Sequence, residues 1–92
     1  MNRKETLETA AALVHGDRQS DYGTPQENFS RIAVLWEPIF GKPVTPAQVA
    51  LALTQLKIAR LIHTPGHADS WVDAAGYIAI GAELATEETN DE

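Results

Sequence analysis

Lys57 and Arg60 stand three residues apart inside an otherwise apolar run, VALALTQLKIARLI. At helical spacing they share a face. Two cations in such a helix must be paired, line a cavity, or snorkel to the surface. Asp69 and Asp73, four residues apart, share a face of the next segment in the same way. If the chain folds back at Pro65-Gly66, Asp73 comes level with Lys57 and Arg60, and an ion pair between the two helices is expected. Asp69 also reads simply as a helix cap. Two carboxylates one turn apart hold magnesium only with help from further carboxylates or substrate phosphates. Asp21 and Glu27 are the other acids in reach of such a site.

A second concentration of chemistry lies in HGDRQSDYGTPQENF, residues 15 to 29. A plain connector between helices needs a glycine and a cap. This one carries His15, Asp17, Arg18, Gln19, Ser20 and Asp21, and then Tyr22-Gly23-Thr24-Pro25. Arg18 and Arg31 offer planar forks suited to phosphate. Tyr22, Phe29 and Trp36 offer faces on which a base can stack. Asp21 and Asn28 can meet ribose hydroxyls or base donors. The helix start at Thr24 to Glu27 adds free N–H groups and a positive dipole end. Together these are parts of a site for a nucleotide-like anion; the plain alternative is an ordered loop packed on a small core.

Other chemistries lack their parts. His15, His63 and His67 do not form a zinc spacing, and the chain has no cysteine. No Gly-x-Ser-x-Gly elbow and no glycine-rich phosphate loop is present.

The elements that must position these residues read as four helices and no strand. The first spans about 4–15, with Leu7, Ala10, Ala11 and Val14 on one stripe and Gly16 as its stop. The second spans about 25–39. Thr24 caps it, Pro25 opens it, Glu27 completes a capping box, and Pro38 and Gly41 close it. The third spans about 46–63, capped by Thr45, with Val49, Leu53, Leu56 and Arg60 along one stripe. The fourth spans about 69–86 and is capped by Asp69 or Ser70. The link Thr64-Pro65-Gly66-His67-Ala68 is short, so the last two helices form an antiparallel hairpin. The expected fold is all-α: a four-helix bundle-like domain over residues 1–86, followed by a flexible acidic tail over 87–92. Gly76 and Gly81 in the fourth helix point to a close backbone approach by another helix, possible from a second subunit.

Ninety-two residues make one domain with a modest core, and with no disulfide available oligomerisation is the expected way to add buried area. No apolar run nears the roughly 20 residues of a membrane span. The start, Met1-Asn2-Arg3-Lys4-Glu5, does not resemble a signal peptide, so a cytoplasmic protein is expected. The formal charge is −6. Glu87, Glu88, Asp91 and Glu92 supply four of its acids; without them nine acids face seven bases. A folded part near −2 with no basic face is a poor partner for DNA or RNA.

The motifs GDRQSDYG, LKIAR and DSWVDAAGY resemble a family of short bacteriophage proteins of unknown function. Its Gly-Asp-Arg-x-x-Asp-Tyr-Gly falls on Gly16, Asp17, Arg18, Asp21, Tyr22 and Gly23. Its Lys-x-x-Arg falls on Lys57 and Arg60, and its Asp-Ser-x-x-Asp-x-x-Gly-Tyr on Asp69, Ser70, Asp73, Gly76 and Tyr77. The likeness runs from residue 7 to 85 and implies action inside an infected bacterial cell. More distantly, the acidic pair opening the last helix is similar to that of MazG-like all-α nucleotide pyrophosphohydrolases. Those enzymes hold magnesium with a further Glu-x-x-Glu on the preceding helix. Lys57 and Arg60 stand there instead, and cations cannot hold a magnesium ion.

The expected function is therefore binding without a catalytic set or a cofactor. The protein would be a homo-oligomer that sequesters a small nucleotide-derived signal, of the cyclic nucleotide or cyclic ADP-ribose type, and so counters host immune signalling. Arg18, Lys57 and Arg60 would meet phosphates, Tyr22 or Trp36 would stack a base, and Asp21, Asn28 and Asp73 would meet ribose or base donors. Arg31, Asp69 and Tyr77 complete the expected ligand-binding set. The alternative is a magnesium-dependent MazG-like pyrophosphohydrolase.

Overall fold

A computed structural model describes the backbone of residues 1–90, and the side chains of these apart from residues 17–19, 89 and 90. The chain is all-α, and no strand occurs among the described residues. Its helices are α1 (Arg3–His15), α2 (Asp17–Tyr22), α3 (Pro25–Phe40), α4 (Pro46–His63) and α5 (Ala68–Asn90). The sequence reading of four helices missed α2. At six residues it is too short to show a periodic stripe, and its residues are all polar apart from the Tyr22 ring.

Three helix starts follow one local logic. Thr24 accepts from the Glu27 N–H at 3.1 Å, and the Glu27 carboxylate accepts from the Thr24 N–H at 3.3 Å. Thr45 and Gln48 repeat the exchange at α4, and Asn2 and Glu5 at α1. Each pair satisfies N–H groups that the first helical turn leaves without partners. Substituting such a cap by alanine costs about 1 kcal/mol.

Helix α5 begins differently from expectation. Neither Asp69 nor Ser70 caps it. His67 precedes the helix, and its Nδ1 accepts from the Ser70 N–H at 3.3 Å while Ser70 Oγ lies 2.7 Å from the same nitrogen. The Ser70 N–H also donates to the His67 carbonyl at 3.1 Å, so backbone and ring of His67 both meet the first turn of the helix. The hairpin turn is pinned by the Trp71 indole N–H, which donates to the Pro65 carbonyl at 2.8 Å.

Two helix ends also differ from the sequence reading. Pro38 lies inside α3, which runs on to Phe40 and stops at Gly41 in a left-handed conformation. Proline this near a C-terminus removes one hydrogen bond without ending the helix, whereas a φ of 71° suits glycine. Helix α5 passes the expected stop at residue 86 and continues to Asn90. In that last stretch the Glu88 carboxylate accepts from the Ala47 N–H at 3.2 Å, a carboxylate against the positive end of α4.

The contacts Ala47–Glu88, Ala50–Gly81 and Lys57–Asp73 fix the register of the α4–α5 hairpin and its antiparallel sense. Helix α1 packs along α5, α3 packs against α4, and α2 joins α1 to α3. Phe29, Ala33, Val49, Ala50, Ile80 and Leu84 form the buried core, edged by Val14, Ile32, Trp36, Leu53 and Tyr77. The two glycines of α5 meet partners within the same chain, not a second subunit. A Cβ on Gly76 would lie 3.1 Å from Val14 of α1, and one on Gly81 3.1 Å from Ala50 of α4. Helix α5 is thus clasped on two sides, and its small residues set both distances.

The stripe expected along α4 divides. Val49 is buried and Leu53 half-buried, but Leu56 and Arg60 turn outward. The buried face is Val49, Ala50, Thr54 and Leu61. Thr54 occupies it because its hydroxyl donates to the Ala50 carbonyl at 2.8 Å within the same helix.

Candidate functional site

An open cleft of about 280 Å³ lies between α1, the α2–α3 junction and the inner side of the hairpin. Helix α1 gives it Ala10, Leu13 and Val14; α3 gives Phe29 and Ile32. The hairpin gives Leu53, Val72 and Ile80, so the lining is mostly apolar. Gly76 lies at its floor, where any side chain would press on Val14.

Four groups on this lining carry polar atoms: Tyr22, Asn28, Asp73 and Tyr77. Tyr77 rests its ring against Phe29, with centroids 6.3 Å apart and tilted by 49°. Asp73 holds Lys57, with its Oδ2 3.0 Å from the Lys57 Nζ. Their side chains are 14% and 31% exposed, so the pair is partly removed from water yet not sealed. Within hydrogen-bond distance and half-desolvated, such a pair is held more firmly than a surface ion pair.

Helix α3 is fixed at the cleft by its cap. The Thr24 hydroxyl donates to the Glu27 carboxylate at 2.9 Å, and with the Thr24 backbone N–H and the nearby Arg31 it holds the Glu27 carboxyl below its ordinary value. Asn28 and Phe29 follow directly; both line the cleft, and Phe29 also belongs to the core.

The structure gathers some of the expected site residues and scatters others. Tyr22, Asn28, Asp73 and Tyr77 share the cleft, and Lys57 joins them through Asp73. The expected ion pair across the hairpin forms, and Lys57 is its cation; Arg60 is exposed. Asp21, Arg31 and Asp69 are exposed and outside the lining. Trp36 packs against the core and meets Phe40 edge-on at 5.9 Å between centroids. The side chain of Arg18 lies outside the described residues. Among the described residues, no three histidines, aspartates or glutamates gather as a cluster that could hold a metal ion. No described helix is long and apolar enough to cross a membrane.

Sequence reasoning missed the apolar half of the cleft. Ala10, Leu13, Val14 and Val72 look like core positions, and nothing in their type separates core from cleft wall. The signal available was Gly76: a helical glycine beside an acid and a tyrosine marks a place where the neighbouring helix comes close.

Residues 5–85 match the profile of the domain of unknown function DUF6378. The chain belongs to that family. Two relatives are bacteriophage proteins, each called Gene 55 protein. That of Mycobacterium phage D29 is 44% identical over 71 residues, covering 77% of this chain and 47% of the relative. That of Mycobacterium phage L5 is 43% identical over 75 residues, covering 80% and 48%. The chain thus spans about half the length of the curated relatives it matches. No solved structure matches it. The expected kinship with phage proteins of unknown function stands; the matches do not extend to MazG-like enzymes.

Proposed function

We propose that this DUF6378 chain binds and sequesters a small nucleotide-derived molecule, seating its base in the cleft between α1, α3 and the hairpin. The observation that carries this reading is the lining itself: an apolar cleft with two tyrosines, one amide and one ion pair. Small-molecule sites have this make-up, mostly apolar walls with a few placed polar groups, at about 300–1,000 Å³. A cleft of about 280 Å³ lies at the lower edge of that range, enough for part of a larger ligand.

Each group has a role that follows from its chemistry. The rings of Tyr22 and Tyr77 offer stacking faces, each worth about 1–3 kcal/mol per base. Asn28 presents a donor and an acceptor, the pattern that reads the edge of a base. The Asp73 carboxylate accepts from a ribose hydroxyl. Lys57 is the cation tied to the lining through Asp73, and it meets a phosphate as a point charge. Such a ligand would exchange one partner of the Lys57–Asp73 pair for its own groups, so the pair keeps both charges ready without leaving either buried alone. Sequestration of a cyclic nucleotide or cyclic ADP-ribose type signal would suit a phage protein acting against host immune signalling.

The test mixes the protein with nucleoside triphosphates, cyclic oligonucleotides and cyclic ADP-ribose isomers, with and without magnesium. Depletion from solution is followed, and the protein is then heat-denatured. The expected result is one compound depleted without magnesium and released intact. Release of a cleaved product only with magnesium would favour a pyrophosphohydrolase instead. No depletion at all would contradict ligand binding.

A further inference from the structure

The α4–α5 hairpin has a second side that none of the described residues covers. On α4, Val49 and Leu53 face the core, and Ala50, Lys57 and Leu61 lie toward α5. The third flank carries Leu51, Ile58 and Ile62, all exposed, Ile62 by 80%. On α5, Val72, Gly76 and Ile80 face α1, while Asp73 and Gly81 face α4. Its third flank carries Trp71, Ala75, Ile78 and Ala82, with Trp71 and Ile78 about half exposed. In an antiparallel hairpin these two flanks lie on one side, turned away from α1 and α3.

This outer side is unusual in three ways. No charged residue lies on it between Leu51 and Ile62 or between Trp71 and Ala82. Both stripes, 51-55-58-62 and 71-75-78-82, keep the alternating four-and-three spacing of helices that pack lengthwise on other helices. And α4 offers the large Leu51, Ile58 and Ile62 where α5 alternates Trp71 and Ile78 with Ala75 and Ala82.

The surface area agrees. The chain exposes 6336 Å², about a fifth more than the roughly 5,200 Å² expected of a folded 10.0 kDa monomer. The excess, about 1,100 Å² over the whole chain and shared with the exposed apolar residues of α3, leaves room for the roughly 800 Å² that one partner gives to a stable interface. A charged partner finds nothing to pair with on this face. A second copy finds an uncharged, self-complementary one, and two chains of charge −6 meet where neither carries charge.

We infer that the outer face of the α4–α5 hairpin is a homodimer interface. Two copies stack hairpin on hairpin about a two-fold axis, large residues of one α4 against the alanines of the partner's α5, as an intermolecular four-helix bundle. The cleft lies on the opposite side of the hairpin, so the dimer carries two clefts facing outward.

Sedimentation equilibrium of the full chain at micromolar concentration should give twice the chain mass of 10.0 kDa. The double variant Ile58→Glu/Ile62→Glu should halve that mass with unchanged helical circular dichroism, because both side chains are exposed in the single chain. Leu35→Glu, on an exposed apolar part of α3 flanked by Arg31 and Glu37, should leave the dimer intact. The chain has no cysteine, so a single introduced one reports alone. Ala82→Cys should cross-link to a dimer with a short bismaleimide, and Glu37→Cys should not. A wild-type monomer even at high concentration would overturn the proposal. So would a dimer that survives the double variant or dissociates with Leu35→Glu, or the reverse cross-linking pattern.

Discussion

Each side of the α4–α5 hairpin departs from the usual distribution of residues: a few polar groups stand in a mostly apolar cleft inside, and an apolar stripe lies exposed outside. The inner side, where a small domain needs apolar packing, holds Lys57, Asp73 and Tyr77 at an open cleft. The outer side, where water should meet charge, holds Leu51, Ile58, Ile62, Trp71 and Ile78. A half-buried ion pair contributes little net stability, and an exposed apolar stripe contributes none in the single chain. Each side therefore makes sense with a partner that the chain alone does not provide: a polar small molecule inside, a second copy outside. Under these two proposals one hairpin would serve both, because each helix has three flanks and the core occupies only one.

The comparison is broken most severely at its inner side. Asp73→Ala leaves Lys57 half-buried without its carboxylate. Nucleotide depletion should fall below detection, while urea unfolding should show a loss of only about 1–2 kcal/mol, discounted for the pair's access to water. Gly76→Val drives a branched side chain into Val14, already 3.1 Å from a Cβ at that position. Overpacking of this kind costs about 1–3 kcal/mol. Because it pries α1 from α5, it should reduce ligand binding as well as the urea midpoint. His67→Ala removes the ring partner of the buried Ser70 hydroxyl and the second of two acceptors for the Ser70 N–H, whose bond to the residue 67 carbonyl at 3.1 Å remains. Its cost should be about 1–2 kcal/mol, with cleft binding retained.

The smallest effect concerns acid. The Glu27 carboxyl is held below its ordinary value by the Thr24 hydroxyl first, then by the Thr24 N–H and by Arg31. A depressed carboxyl contributes stability above its unfolded-state value, and that contribution disappears as pH falls through the folded-state value. Unfolding curves between pH 6 and pH 3 should therefore show a small loss of stability that Glu27→Gln abolishes. An identical acid response in that variant would mean the capping box plays no part.

Much of this fold is legible in the sequence because its caps are local. Thr24-Pro25 with Glu27, and Thr45-Pro46, announce α3 and α4 without any knowledge of packing. The Lys57–Asp73 pair is legible too, since a five-residue link leaves the hairpin one register to adopt. What escapes reading is set by distant neighbours. Leu56 and Arg60 turn outward because α5 occupies another flank of α4, which periodicity within α4 does not reveal. Trp36 looks like a stacking platform by type, but the core claims its ring. Leu13 and Val14 line the cleft because α1 crosses α5 at Gly76, and no residue within α1 encodes that crossing. His67 replaces Asp69 as the cap of α5 because the turn places its ring over Ser70.

The central claim is that the inner side of the hairpin takes the ligand, and chemical-shift mapping tests it most directly. Amide, tyrosine-ring and asparagine side-chain signals would be recorded while each nucleotide and cyclic nucleotide of the panel is added. The account predicts that a depleted compound shifts Tyr22, Asn28, Asp73 and Tyr77 together and leaves Leu51, Ile58 and Ile78 unmoved. Shifts confined to exposed Arg31 and Arg60, with the cleft silent, would contradict it.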